Sequence, residues 1–204
     1  MRRRSSPSSA NAEPMKAAPG LEPREDAPRP PAEIPGQGFS LREWRKSDVE
    51  SLARHANNIK IWRNLHDAFP HPYTRADAEI WIAQTSTVPP GVIYAIVVDG
   101  EAAGGIGITP MRYEHRRTAA IGYWLSESYW GRGITTRALR VMTDLAFATF
   151  DLARLEAFVF EWNLASCRVL EKAGYTREAV LKKRVTKEGR TVDCFLYALI
   201  RDGE

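Results

Sequence analysis

With 204 residues, 44% of them hydrophobic and 26% charged, the chain has the length and composition of one globular domain. Its net charge of +4 comes from 29 Lys and Arg that are scattered along the chain rather than gathered in a stripe interleaved with aromatics, which argues against nucleic acid as the principal partner. There is no run of 18 apolar residues and no apolar stretch behind Arg2-Arg3-Arg4, so neither a membrane span nor a secretion signal is expected. Cys167 and Cys194 lack metal-ligand spacing, and the four His are far apart, so no metal is expected; the thiols fit the buried small side chains of a reduced, cytoplasmic protein.

Residues 1–37 hold eight of the thirteen prolines and no aromatic residue, a composition that cannot bury enough surface to offset ordering, and they are expected to form a disordered tail. The folded domain is then expected over 38–204. It opens with an alternating strand, Phe39-Ser40-Leu41-Arg42-Glu43-Trp44. Ser47 or Asp48 can cap a helix carrying Val49, Leu52 and Ala53, and a second helical piece runs near Ile59 to Leu65. After the His- and Pro-rich segment 66–73, Thr74 with Asp77 forms a capping-box pattern for a helix through Ile80, Trp81 and Ala83.

Two strands, Val92 to Val98 and Ala102 to Thr109, meet at the hairpin signal Asp99-Gly100. A charged loop, Arg112 to Arg117, leads to the strand Ala120 to Leu125. A helix then carries Ala138, Leu139, Met142, Leu145 and Ala146 at spacings of three and four, which gives it one apolar face. Leu155 to Phe160 reads as a strand, Asn163 caps a helix that ends at Gly174, and two final strands flank Lys187-Glu188-Gly189-Arg190. This order of strands and helices excludes a simple doubly wound sheet and predicts an α/β layer with parallel and antiparallel pairs.

The most informative segment is Tyr129-Trp130-Gly131-Arg132-Gly133-Ile134-Thr135-Thr136, a strand-to-helix turn stripped of side chains at two glycines. Free backbone N–H groups and the positive end of the helix dipole converge there, which suits a diphosphate; a purely structural turn is the alternative. No Gly-Lys-Ser/Thr follows, and Thr136 breaks G-x-G-x-x-G, so two familiar phosphate loops are excluded.

Taken together, "GYWLSESYWGRGITTRAL" and "NLASCRVLEKAGY" resemble the GNAT superfamily of acyl-CoA-dependent N-acetyltransferases, most of all the branch with ribosomal-protein N-terminal acetyltransferases, over about residues 39–200. The resemblance implies a mixed, mostly antiparallel central sheet with splayed central parallel strands and flanking helices, and acetyl-CoA as co-substrate. The family's pyrophosphate loop, Gln/Arg-x-x-Gly-x-Gly/Ala, falls on Trp130 to Thr135, with only Gly133 a strict match. Gly131, Arg132, Gly133, Ile134, Thr135 and Thr136 are thus expected to hold the pyrophosphate. Trp124 and Leu125 would pair with the pantetheine arm and Asn163 would hydrogen-bond its end. The resemblance makes Ser166 the candidate partner of the leaving thiolate, since Leu170 stands where many relatives carry a Tyr. It places Tyr73 and Tyr123 beside the acceptor. Ala120 stands where many relatives carry a Glu base, so the base is open among Glu114, Glu161, Asp193 and His71. The acceptor is expected to be an amine, either a peptide N-terminus or a small molecule. A non-catalytic acyl-CoA-binding module is the alternative, and a homodimer is compatible with the sequence.

Overall fold

The structure is a computed structural model that describes residues 21–201 except 22, 25 and 28. Its strands are β1 (Glu33–Gly36), β2 (Phe39–Arg42), β3 (Ile93–Val98), β4 (Glu101–Pro110), β5 (Thr118–Leu125), β6 (Arg154–Phe160), β7 (Thr176–Lys187) and β8 (Arg190–Ile200). Its α-helices are α1 (Val49–Ala56), α2 (Ile59–Trp62), α3 (Arg75–Thr85), α4 (Ile134–Thr149) and α5 (Leu164–Ala173). The strands form one sheet in the order β1-β2-β3-β4-β5-β6-β8-β7, antiparallel throughout except for β5 with β6. This is the mixed, mostly antiparallel sheet that the sequence implied. No helix among the described residues is long and apolar enough to cross a membrane.

Local chemistry sets the element boundaries. Thr74 Oγ1 accepts from the Asp77 N–H while Asp77 accepts from the Thr74 N–H at 2.8 Å, closing the capping box of α3. Asp48 lies at the start of α1, as expected of a cap, but its carboxylate points elsewhere. It is buried and grips Arg42 through two hydrogen bonds of 2.7 and 2.8 Å, pinning α1 to β2. Gly174 ends α5 in the left-handed conformation, φ 99°.

Two apolar clusters sandwich the sheet. On one face, Ala138, Leu139, Met142 and Ala146 of α4, with Cys167 and Leu170 of α5, pack on Ile121, Leu125, Leu155, Ala157 and Val159. On the other, Leu52 and Ala56 of α1 meet Ala78 and Ile82 of α3 and Tyr73.

The expected tail boundary is crossed by ordered chain. Residues 33–36 pair with β2 as β1, Tyr94 donates its hydroxyl to Pro31 O at 3.1 Å, and the Arg24 N–H reaches Thr149 O at 2.9 Å. Main-chain pairing needs no aromatic side chain, and proline is tolerated at a sheet edge, so composition alone misplaced this boundary. Residues 1–20 lie outside the described residues.

Candidate active site

The centre of the molecule is the place where its two parallel strands part. β5 and β6 pair at three rungs, Thr118–Arg154, Ala119–Leu155 and Ala120–Glu156, and no further. On its other edge β5 stays zipped to β4, and the Ser126 N–H donates to Ala103 O at 2.8 Å. Antiparallel alternation therefore turns the main-chain groups of Trp124 and Gly122 toward β4, and those of Ile121, Tyr123 and Leu125 toward the opening. The Leu125 carbonyl receives the Trp130 indole N–H at 2.7 Å, which anchors the next loop to the end of the strand. The Leu125 N–H and both main-chain groups of Tyr123 face the cleft edge. Trp124 turns its side chain to the other face, where Phe69 packs edge-on against it at 5.9 Å.

Beyond the strand, a 3-10 turn (Glu127–Tyr129) delivers the chain to the glycine loop. Gly131 and Gly133 both have left-handed φ, 76° and 70°, a conformation that other residues enter at a cost of about 1–2 kcal/mol. No side chain caps α4 at Gly133, so the N–H groups of Ile134, Thr135 and Thr136 keep their hydrogen-bonding capacity at the dipole's positive end. Two guanidinium groups flank them. Arg132 lies over the Tyr129 ring at 5.1 Å, and Arg137 bridges Arg132 O and Gln37 O at 3.2 Å each. A Cβ at Gly133 would sit 3.0 Å from Arg137 Nη1. Unclaimed backbone donors and two cations suit a diphosphate, so the loop fits the group that the sequence pointed to. Arg137 escaped sequence reasoning because nothing local marks a helix-surface arginine as folding back over its own N-terminus.

On the far side of the opening, Asn163 caps α5 by accepting the Ser166 N–H at 3.2 Å. Ser166 Oγ lies 2.8 Å from the Tyr123 hydroxyl, so the residue expected beside the acceptor and the residue expected beside the thiolate form one hydroxyl pair across the cleft. Burial pushes the Tyr123 phenol above its ordinary pKa, an effect its bond to Ser166 only partly offsets; the group stays a neutral proton donor.

Tyr73 is 6% exposed and stacks on Phe69 at 4.9 Å within the small cluster, so it shapes the wall from behind. The candidate bases are dispersed. Asp193 is held by Lys182 at 2.7 Å and by the Lys183 N–H, which keep its carboxyl below the usual range. Glu161 accepts from the Asp193 N–H, Glu114 lies on an exposed turn, and His71 stacks against Trp62 at 5.7 Å.

One wall was invisible in the sequence. The β7–β8 hairpin reaches the segment after α2, placing Lys187 Nζ 3.9 Å from the Trp62 ring centre and 2.7 Å from Asp67, while Arg63 grips Glu188 at 2.9 Å. Trp162 donates to Asn64 at 3.0 Å from the β6–α5 loop, closing the same side.

Known proteins share this architecture. A family model described as "Acetyltransferase (GNAT) domain" matches residues 39–176. The uncharacterized N-acetyltransferase p20 of Bacillus licheniformis is 30% identical over 166 residues, 80% of this chain and 93% of p20. A shorter match to YjcK of Bacillus subtilis, 43% identical over 84 residues, takes in 41% of this chain and 46% of that protein, about half its length. Among solved structures, a ribosomal alpha-N-protein acetyltransferase, RimL, in complex with coenzyme A superposes with a TM-score of 0.69 at 26% identity, covering 84% of this chain and 99% of RimL.

Proposed function

Because the chain belongs to the GNAT acetyltransferase family, we propose that it transfers the acetyl group of acetyl-CoA to a primary amine, and that a protein N-terminal α-amino group is its acceptor. The observation that carries this reading is the parting of β5 and β6 directly ahead of an uncapped helix N-terminus, with a hydroxyl pair across the gap. Acetyl-CoA would supply a thioester carbonyl open to attack and a thiolate leaving group.

The residues of the chain then divide the work. The N–H groups of Ile134 to Thr136, reached through Gly131 and Gly133, bind the pyrophosphate, with Arg132 and Arg137 adding positive charge. The cleft-facing main chain of Tyr123 and Leu125 pairs with the extended pantetheine arm, and an N–H on that edge can donate to the thioester oxygen as negative charge gathers there. Asn163 fixes the first turn of α5 and so the position of Ser166. The Ser166–Tyr123 pair hands a proton to the departing sulfur.

An α-amino group has a pKa of about 7.7–8.0 against about 10.4 for lysine, so far more of it is free base at neutral pH. The family likeness to RimL supports the same acceptor class. The test is thiol release from acetyl-CoA with peptides bearing a free N-terminus, the same peptides N-blocked but carrying lysine, and small amines. Release with free N-termini alone supports the reading. Coenzyme binding without release over the whole panel sinks it in favour of a non-catalytic module.

A further inference from the structure

Transfer to an amine needs a group that takes a proton from the incoming ammonium, and none of the carboxylates considered from sequence is placed for it. The geometry points to Glu156, an assignment that rests on the acetyl-transfer reading above. Glu156 is the register partner of Ala120 at the last rung before β5 and β6 separate, so its side chain and the Ala120 methyl project from the same face at the apex of the cleft. The even-numbered positions of both strands share that face: Ala120, Gly122 and Trp124 on β5, Glu156, Phe158 and Phe160 on β6. The odd-numbered positions turn to the buried cluster beneath α4 and α5, the side on which Tyr123 meets Ser166.

This division of faces suits the chemistry. The proton for the leaving sulfur comes from the Tyr123–Ser166 side, so the amine must approach from the other. There the surface is open, since a Cβ added at Gly122 would meet nothing within 4 Å. Ala120 offers no titratable group, and its small side chain leaves room above the neighbouring carboxylate.

The setting of Glu156 also fits the role. Its side chain is 15% exposed and receives Arg154 Nε at 2.6 Å on Oε1. The same guanidinium donates to Glu178 at 2.9 Å, and the bonds to the two carboxylates hold Arg154 firmly in its charged form. Arg154 fixes one carboxylate oxygen of Glu156 and leaves the other to accept a proton. In the step, the ammonium N–H bond breaks and its proton passes to Glu156, directly or through one water. The freed nitrogen pair forms the C–N bond, the C–S bond breaks, and sulfur takes its proton from the hydroxyl pair, which is restored through solvent by the second proton that the nitrogen sheds as the amide forms.

The experiment compares the full chain with its Glu156→Gln and Glu178→Gln variants on two peptides. One ends in an ordinary α-amino group; the other carries a terminal aminooxy group, which arrives as free base at pH 7. Glu156→Gln keeps the bond to Arg154 and should lower kcat on the first peptide by about 10²-fold or more, with KM and melting temperature nearly unchanged. On the aminooxy peptide the loss should shrink severalfold. Glu178→Gln, which removes only the outer carboxylate, should leave both rates near wild type. An unchanged rate in Glu156→Gln, or an equal loss on both peptides, overturns the assignment while leaving acetyl transfer intact. Failure of the wild-type protein to release thiol with either peptide overturns both.

Discussion

The hydroxyl of Tyr123, on the central strand, lies 2.8 Å from Ser166 Oγ in the first turn of the helix across the cleft. Neither residue is a notable acid alone, but burial keeps the phenol protonated and the serine hydroxyl can relay. Ser166→Ala and Tyr123→Phe are each expected to reduce kcat by about 10–10²-fold with little change in coenzyme A affinity. Because the two act as one unit, the double variant should lose far less than the product of the single losses. Thiol-release kinetics with calorimetric coenzyme binding decide it, and full turnover in Ser166→Ala removes the pair from the mechanism.

Gly133→Asp is expected to weaken coenzyme A binding by about tenfold or more, equivalent to about 1.4 kcal/mol. It places a carboxylate beside the free N–H groups of α4, where a diphosphate would repel it. Asp tolerates left-handed φ better than most residues and can pair with Arg137, 3.0 Å from the new Cβ, so the fold should survive. Isothermal titration against circular dichroism separates the two effects; undiminished affinity would contradict the pyrophosphate assignment.

Deleting residues 1–37 is expected to lower the melting temperature, because it removes β1 and the contacts of Leu21 and Ile34 with the main core. At about 1 kcal/mol for each part-buried apolar side chain and for the lost edge pairing, the sum is about 3 kcal/mol, or about 6–12 °C for a domain of this size. A scanning calorimetry trace superimposable on that of the whole chain would show that β1 and the residues before it add nothing.

Breaking the buried Arg42–Asp48 pair by Asp48→Ala should cost about 3–5 kcal/mol, since it leaves a guanidinium without its partner between β2 and α1. Urea unfolding monitored by tryptophan fluorescence reads the loss. A change below about 1 kcal/mol would show that water replaces the carboxylate.

Alkali should destabilise the fold. Burial holds the phenols of Tyr94 and Tyr175 up to about 12, and those of Tyr73, Tyr123 and Tyr197 are raised as well. Below about pH 10 both folded and unfolded chains keep these protons, and stability is unaffected. Above it the unfolded chain releases them first, so unfolding becomes easier as pH rises toward the folded values. Melting temperatures at pH 8 and pH 11 should therefore differ clearly, with phenolate absorbance appearing alongside unfolding. Free titration of all seven tyrosines in the folded protein near pH 10 would refute this.

Much of the fold was legible because its signals are local. The capping box at Thr74, the Asp99-Gly100 hairpin, the apolar face of α4 and the Asn163 and Gly174 bounds of α5 each depend on residues a few positions apart. The tail boundary failed for the opposite reason. Nothing in Glu33–Gly36 announces a strand, and only the presence of β2 as a template makes it one.

The sequence by itself determined the family and the glycine turn that opens α4, because glycine spacing, helix periodicity and caps act within one turn of chain. Tertiary structure alone decided which side chains meet. Tyr123 and Ser166 are 43 residues apart, Asp67 and Lys187 are 120 apart, and the register that sets Glu156 beside Ala120 depends on how two strands align before they part. Such contacts arise from packing summed over the whole sheet, and no short stretch of sequence encodes them.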